Sequence, residues 1–196
     1  NRAEQGLLKP EELREALSKL SAQARRAGQI IRRVHDFVRR SEPKREIQAL
    51  GALVEDAVGL IDADARRRGI ALTLDIAADL PQVLADRVMI EQVLVNLLRN
   101  AMDAMRDTAP AERALTVSAR RDAEGVAVSV ADHGCGIAPA VAERLFEAFF
   151  TTKRDGMGMG LNICRSIMEL HHGKLWHEAR AGGGTVFHLF LPGASD

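Results

Sequence analysis

Between Asp86 and Arg106 the chain carries a predicted helix that is apolar over most of its circumference. At about 100° per residue, Gln92, Asn96, Arg99, Asn100 and Asp103 gather within roughly a third of the turn. Val93, Leu94, Val95, Leu97, Leu98, Ala101, Met102, Ala104 and Met105 fill the rest. A surface helix shows the reverse proportion, so this one is expected in a core. Its seam of amides and a carboxylate must then face something that replaces lost hydration: a polar ligand, a metal ion or an internal network. With 196 residues and 46% apolar content, the chain can bury one such core.

Three glycine clusters follow in order. Asp132-His133-Gly134-Cys135-Gly136 ends a predicted strand, Gly156-Met157-Gly158-Met159-Gly160-Leu161 opens a helix, and Gly182-Gly183-Gly184-Thr185 turns a hairpin. A carboxylate at Asp132 can accept from an exocyclic amine, while Gly134 and Gly136 let backbone approach a flat ring. Glycines at a helix start expose N–H groups to phosphate oxygens, at the positive end of the dipole. The Thr185 hydroxyl can complete a base site. Each cluster alone also fits an ordinary Asx turn, flexible loop or glycine turn. Between the first two lies Phe146-Glu147-Ala148-Phe149-Phe150-Thr151-Thr152-Lys153. Its aromatics are expected to anchor a lid from which Lys153 or Arg154 reaches phosphate, with Phe146 a plain core anchor.

The rest of the chain frames these motifs. Leu13, Leu17, Leu20, Ala24, Ala27, Ile31, Val34 and Val38 keep a 4-3 spacing, the seam of a bundle helix that needs a partner helix. Pro43 ends it. From residue 44 the pattern predicts a strand at 46–49, a helix at 50–68 closed by Gly69, and strands at 70–76 and 83–84. A hairpin follows at 115–120 and 126–131, then a short helix at 140–145. A helix running to about 171 is stopped by Gly173, before a last hairpin at 175–178 and 185–191. That order predicts an α/β (α+β) two-layer sandwich, a mixed sheet with helices on one face, preceded by a long amphipathic helix.

Charge separates the ends: +6 through Arg45 and −6 beyond it. The basic arm is a solvated face or a docking surface for an acidic partner, and nucleic acid is not expected. Two cysteines are too few for a disulfide framework, and no apolar run reaches membrane length, so a cytoplasmic domain is expected. His171, His172 and His177 lack zinc spacing and are read as structural.

Taken together, Asn96/Asn100/Asp103, Asp-x-Gly-x-Gly, Phe-x-x-Phe-Phe, Gly-x-Gly-x-Gly-Leu and Gly-x-Thr resemble the N, G1, F, G2 and G3 boxes of sensor histidine kinases. The match to oxygen- and nitrogen-sensing kinases is strongest in Phe-Phe-Thr-Thr-Lys and Gly-Met-Gly-Met-Gly-Leu. The resemblance implies the Bergerat (GHKL) ATP-binding fold, with ATP and Mg²⁺ as cofactors. It implies that Asp132 reads the adenine amine, that Asn100 coordinates Mg²⁺ and that Asn96 lies beside the triphosphate. Asn96, Asn100 and Lys153 would serve catalysis. Asp103, Gly134, Gly136, Ile137, Thr151, Thr152, Gly156, Gly158, Gly160, Leu161 and Thr185 would complete the nucleotide site. Residues 1–43 would be the second helix of a homodimerising phosphotransfer bundle and 44–196 the catalytic domain, with a response regulator as partner. Membrane contact would come only through other regions.

Two departures matter. ATP-hydrolysing relatives of this superfamily carry a Glu where Asn96 stands, and an amide cannot serve as general base for water. The only histidine of the arm, His35, lacks the acceptor's nearby Pro and sits on what resembles the second helix. Self-phosphorylation is therefore not expected of these residues alone. A degenerate kinase that binds nucleotide structurally and a true ATPase are the alternatives.

Overall fold

The computed structural model describes residues 14, 17, 43–153 and 157–194. Apart from residues 14 and 17, the heptad helix lies outside the described residues, as do His35, Arg154 and Gly156. What is described falls almost wholly in one compact unit, Glu42–Asp196.

In chain order this unit contains β1 (Glu46–Gln48), α1 (Leu50–Arg67), β2 (Ala71–Ile76), β3 (Val83–Ala85) and α2 (Arg87–Ala104). A 3-10 turn (Pro110–Glu112) leads to β4 (Ala114–Asp122), β5 (Gly125–Asp132), α3 (Pro139–Ala142), α4 (Gly160–Leu170), β6 (Lys174–Ala179) and β7 (Thr185–Pro192). The main sheet has five strands in the order β2-β4-β5-β7-β6, with β2 parallel to β4 and every other pair antiparallel. The two short strands, β1 and β3, pair apart from it as an antiparallel ribbon, so the sheet is smaller than the strand pattern alone suggested. Helices α1, α2 and α4 form the second layer.

The seam helix lies where its pattern requires. Ile90, Val93, Leu94, Leu97, Leu98, Ala101 and Met102 are buried between α1, α4 and β5. Facing them, period-2 alternation buries Leu115, Val117 and Ala119 on β4, Val126, Val128 and Val130 on β5, and Leu189 and Leu191 on β7. Burying one such aliphatic side chain contributes roughly 1.5–3 kcal/mol, so the packing of α2 against the sheet, α1 and α4 is a substantial source of stability. Asp86 caps α2 by accepting from Met89 N–H at 3.1 Å.

Helix α4 ends differently from expectation. His172, not Gly173, takes the left-handed conformation (φ 55°). The N–H groups of His172 and Gly173 return to the carbonyls of Glu169 and Met168 at 3.1 and 2.8 Å, a Schellman end. Gly173 is needed for space: a Cβ there would stand 2.3 Å from the Phe190 carbonyl oxygen.

Candidate functional site

The inward row of β5 runs Val126, Val128, Val130 and then Asp132, which is 1% exposed. Strand parity therefore drives a carboxylate into the layer beneath α2. Its Oδ1 accepts from Gly134 N–H at 2.8 Å and Thr185 N–H at 3.3 Å. Oδ2 accepts nothing among the described residues. Burial pushes the Asp132 carboxyl above its ordinary value, and the two backbone bonds offset this only in part. On β7, Thr185 continues the inward row of Phe187, Leu189 and Leu191 and is also buried.

Two glycines make this approach possible. A Cβ on Gly184 (φ 96°) would lie 2.0 Å from the Asp132 carbonyl oxygen, and one on Gly134 would lie 2.6 Å from the carbonyl oxygen of Ala104, the last residue of α2. The Asp132 loop is thus laid directly on the end of the seam helix, with Cys135 N–H donating to the same carbonyl at 3.2 Å. Gly136 (φ 71°) and the half-buried Ile137 continue it.

One turn back along α2, Lys153 Nζ donates to Asn100 Oδ1 and Asp103 Oδ2, each at 2.8 Å. The other oxygen of Asp103 accepts from Arg68 at 3.0 Å. Burial works to raise the Asp103 carboxyl, but the hydrogen bonds from Lys153 and Arg68 outweigh it and hold it below its ordinary value. Asn96 faces α4 instead: its Nδ2 donates to Cys164 Sγ at 3.1 Å, and a Cβ on Gly160 would lie 2.7 Å from its Oδ1. Burial pushes the Cys164 thiol up to about 12, so it stays protonated and unreactive. Asn96, Gly160 and Cys164 line a cavity of about 210 Å³ with Gln92, Val95, Arg99 and Ile163. A second cavity of about 240 Å³, beside Arg68, Met105 and Arg113, contains none of the seam amides.

The lid segment differs from expectation. Phe149 N–H donates to the Gly158 carbonyl at 2.9 Å, closing the loop at its base. Phe149 is left-handed (φ 69°) and 48% exposed, so it is no anchor. Phe146 is only half-buried, tilted against the His177 ring and beneath Arg165, rather than in the core. Phe150 lies under Arg144, 4.3 Å from ring centre to guanidinium. The Thr151 hydroxyl accepts from Lys153 N–H at 3.1 Å. Thr152 is exposed and Leu161 half-buried. The structure thus brings Asp132, Gly134 and Thr185 together at one end of α2 and Asn100, Asp103 and Lys153 beside them, with Asn96 and Gly160 at the α4 contact. Arg68 and Cys164 contribute although they belong to none of the sequence motifs, and Gly184 contributes from within the third glycine cluster.

Residues 85–195 match the family model described as histidine kinase-, DNA gyrase B-, and HSP90-like ATPase. The chain belongs to this family. Among its histidine kinases, the chain is 49% identical over 180 residues to the C4-dicarboxylate transport sensor protein DctS of Rhodobacter capsulatus, covering 92% of this chain and 27% of that protein. It is 47% identical over 183 residues to the sensor protein FixL of Bradyrhizobium diazoefficiens, covering 92% and 36%. The chain therefore spans about a third or less of these relatives' length. The catalytic domain of histidine kinase ThkA superposes with a TM-score of 0.68 at 32% identity, over 76% of this chain and 95% of that domain. Full-length ShkA in complex with AMPPNP gives 0.69 at 26%, covering 96% and 41%, and ThkA in complex with the response regulator protein TrrA gives 0.69 at 27%, covering 98% and 55%. The fold of histidine kinase ATP-binding domains is thus that of this chain. Among the described residues, no helix is long and apolar enough to cross a membrane.

Proposed function

We propose that residues 44–196 bind MgATP as the catalytic domain of a two-component sensor histidine kinase. The γ-phosphoryl goes to a histidine carried on a helix outside these residues, and from there to an aspartate of a response regulator. Residues 1–43 serve as the second helix of the homodimerising bundle, and the domain works in the cytoplasm. The observation that carries the reading is Asp132: a buried carboxylate with both backbone bonds on Oδ1, leaving Oδ2 free to accept. A desolvated acceptor of this kind calls for a donor, and the exocyclic amine of adenine is one. Gly134, Gly136 and Ile137 give the ring a floor, and Thr185 closes its edge.

Asn100 and Asp103 present oxygens that already converge on one cation, the Lys153 ammonium. An oxygen donor set suits Mg²⁺, so Asn100 would hold the metal with Asp103 beside it, and the ion would neutralise charge on the triphosphate. Lys153 then exchanges its present partners for phosphate oxygen, while Thr151, Thr152, Gly156, Gly158, Gly160 and Leu161 border the phosphates at the start of α4. A histidine nitrogen attacks the γ-phosphorus, a P–N bond forms, the bond to the bridging oxygen breaks and ADP leaves. Asn96, engaged with Cys164 and lacking a basic oxygen, activates no water. The test is transfer: incubated with labelled ATP and the intact kinase's acceptor-bearing segment, the chain should label that segment and release little phosphate. Sustained multiple-turnover phosphate release without transfer would replace this reading by an ATPase.

A further inference from the structure

Residues 44 and 45 enter the domain through a ring of hydrogen bonds that joins α2 and α4 at their ends remote from the candidate site. Lys44 N–H donates to Asp86 Oδ2 at 2.9 Å, while Asp86 Oδ1 caps α2 through Met89 N–H. The Asp86 N–H donates to His171 Nε2 at 3.0 Å. That contact fixes the tautomer, so Nδ1 carries the proton and donates to the Ile167 carbonyl at 2.7 Å in the last turn of α4. Arg45 closes the ring by donating to the Leu170 carbonyl, with His172 Nε2 lying 3.4 Å away. His171 is 2% exposed, and the Arg45 Nε is buried with no partner among the described residues. A polar ring of this size, open to solvent at Lys44 but closed over the buried His171 and with one buried donor left over at Arg45, is more than two helix caps require.

The far ends of the same two helices carry the candidate site. Helix α4 is about 16 Å long at its 11 residues, and its first residue, Gly160, abuts Asn96 with no room for a Cβ. Close-packed helices shift as units rather than deforming locally. A displacement at Leu170 or Asp86 therefore reappears where Asn96 meets Gly160 and Cys164.

We propose that Arg45, Asp86 and His171 are positioning residues that set the α2–α4 contact, and through it nucleotide affinity, from the point where the preceding chain enters the domain. The consequence for affinity rests on the nucleotide reading above. Two measurements on the full chain separate the two ideas. The first is ADP titration of Arg45→Ala, Arg45→Lys and His171→Leu, with Val128→Ala as a control that weakens the sheet core elsewhere. Arg45→Ala and His171→Leu should each lose at least fivefold in ADP affinity, Arg45→Lys should recover part of it, and Val128→Ala should stay within twofold while its melting temperature falls. The second is amide hydrogen exchange without nucleotide, where Arg45→Ala should speed exchange at Met89 on α2 together with His171 on α4. Unchanged ADP affinity in both ring variants, an equal loss in Val128→Ala, or Met89 exchange indifferent to Arg45 overturns the proposal. A wild-type chain that binds no ADP overturns the nucleotide reading, and the exchange pattern then decides the ring alone.

Discussion

The two ends of the candidate site are built from different materials. Around Asp132 the groups are buried and short: a carboxylate held by two backbone N–H groups, a threonine, and glycines with no room for a methyl. Around Asp103 the groups are long and partly wet, with Lys153 and Arg68 side chains 46% and 37% exposed. The first end is preorganised and, on the proposed reading, would select by which atom is free. The second would select by charge, and it can exchange partners cheaply because exposed ion pairs contribute little. A ligand with a flat, amine-bearing ring and a flexible polyanionic tail fits that division.

Breaking the dry end should have the largest effect. In Asp132→Asn, one oxygen must still serve both backbone N–H groups, so the amide NH₂ faces the adenine amine donor to donor. ADP affinity should fall about 100-fold or more, roughly 3 kcal/mol, with circular dichroism unchanged. An Asp132→Asn chain that binds within threefold of wild type would remove the contrast altogether. At the wet end, Asn100→Ala should abolish the Mg²⁺ enhancement of ATP-analogue binding. Lys153→Ala should weaken that analogue about tenfold yet leave adenosine unaffected, as calorimetry with both ligands would show.

Acidity separates the ends further. On the proposed reading a bound amine favours ionised Asp132, whose carboxyl burial holds above its ordinary value of 3.8 in the nucleotide-free chain. Affinity for uncharged adenosine should therefore fall as pH drops through that raised value. Stability responds elsewhere. Burial first, and then Arg45 and His172 nearby, lower His171 below 6.5 against the opposing pull of the Ile167 carbonyl and Asp86; burial lowers His177 in the same direction. Their contribution is complete above pH 6.5 and is lost as pH falls through the lower folded values, so the melting temperature should decline in that window. His171→Gln should flatten the decline. The smallest effect concerns the α4 end: His172→Gly relieves a left-handed non-glycine residue and should stabilise the chain by about 0.5 kcal/mol in urea titration.

The dry end was also the more legible of the two. The apolar wheel of α2 and the alternation Val126, Val128, Val130, Asp132 fix which residues face inward, because helix and strand periods are properties of the backbone. The order of glycine clusters then indicated which loops meet. Partners at the wet end were not readable. That Arg68 reaches Asp103, or that Asn96 turns to Cys164 on another helix, depends on the rotation of packed elements and the reach of long side chains. The stop of α4 was hidden for a related reason: Gly173 carries the glycine signal, but its missing Cβ serves the Phe190 carbonyl while His172 makes the left-handed turn.

The most direct test is calorimetric titration of the wild-type chain and Asp132→Asn with ADP and a non-hydrolysable ATP analogue, with and without Mg²⁺. One-to-one binding strengthened by Mg²⁺ in wild type, and lost in Asp132→Asn, is the predicted result. Absence of binding at millimolar nucleotide, or equal binding by both chains, would contradict the assignment of Asp132 as the adenine-reading carboxylate.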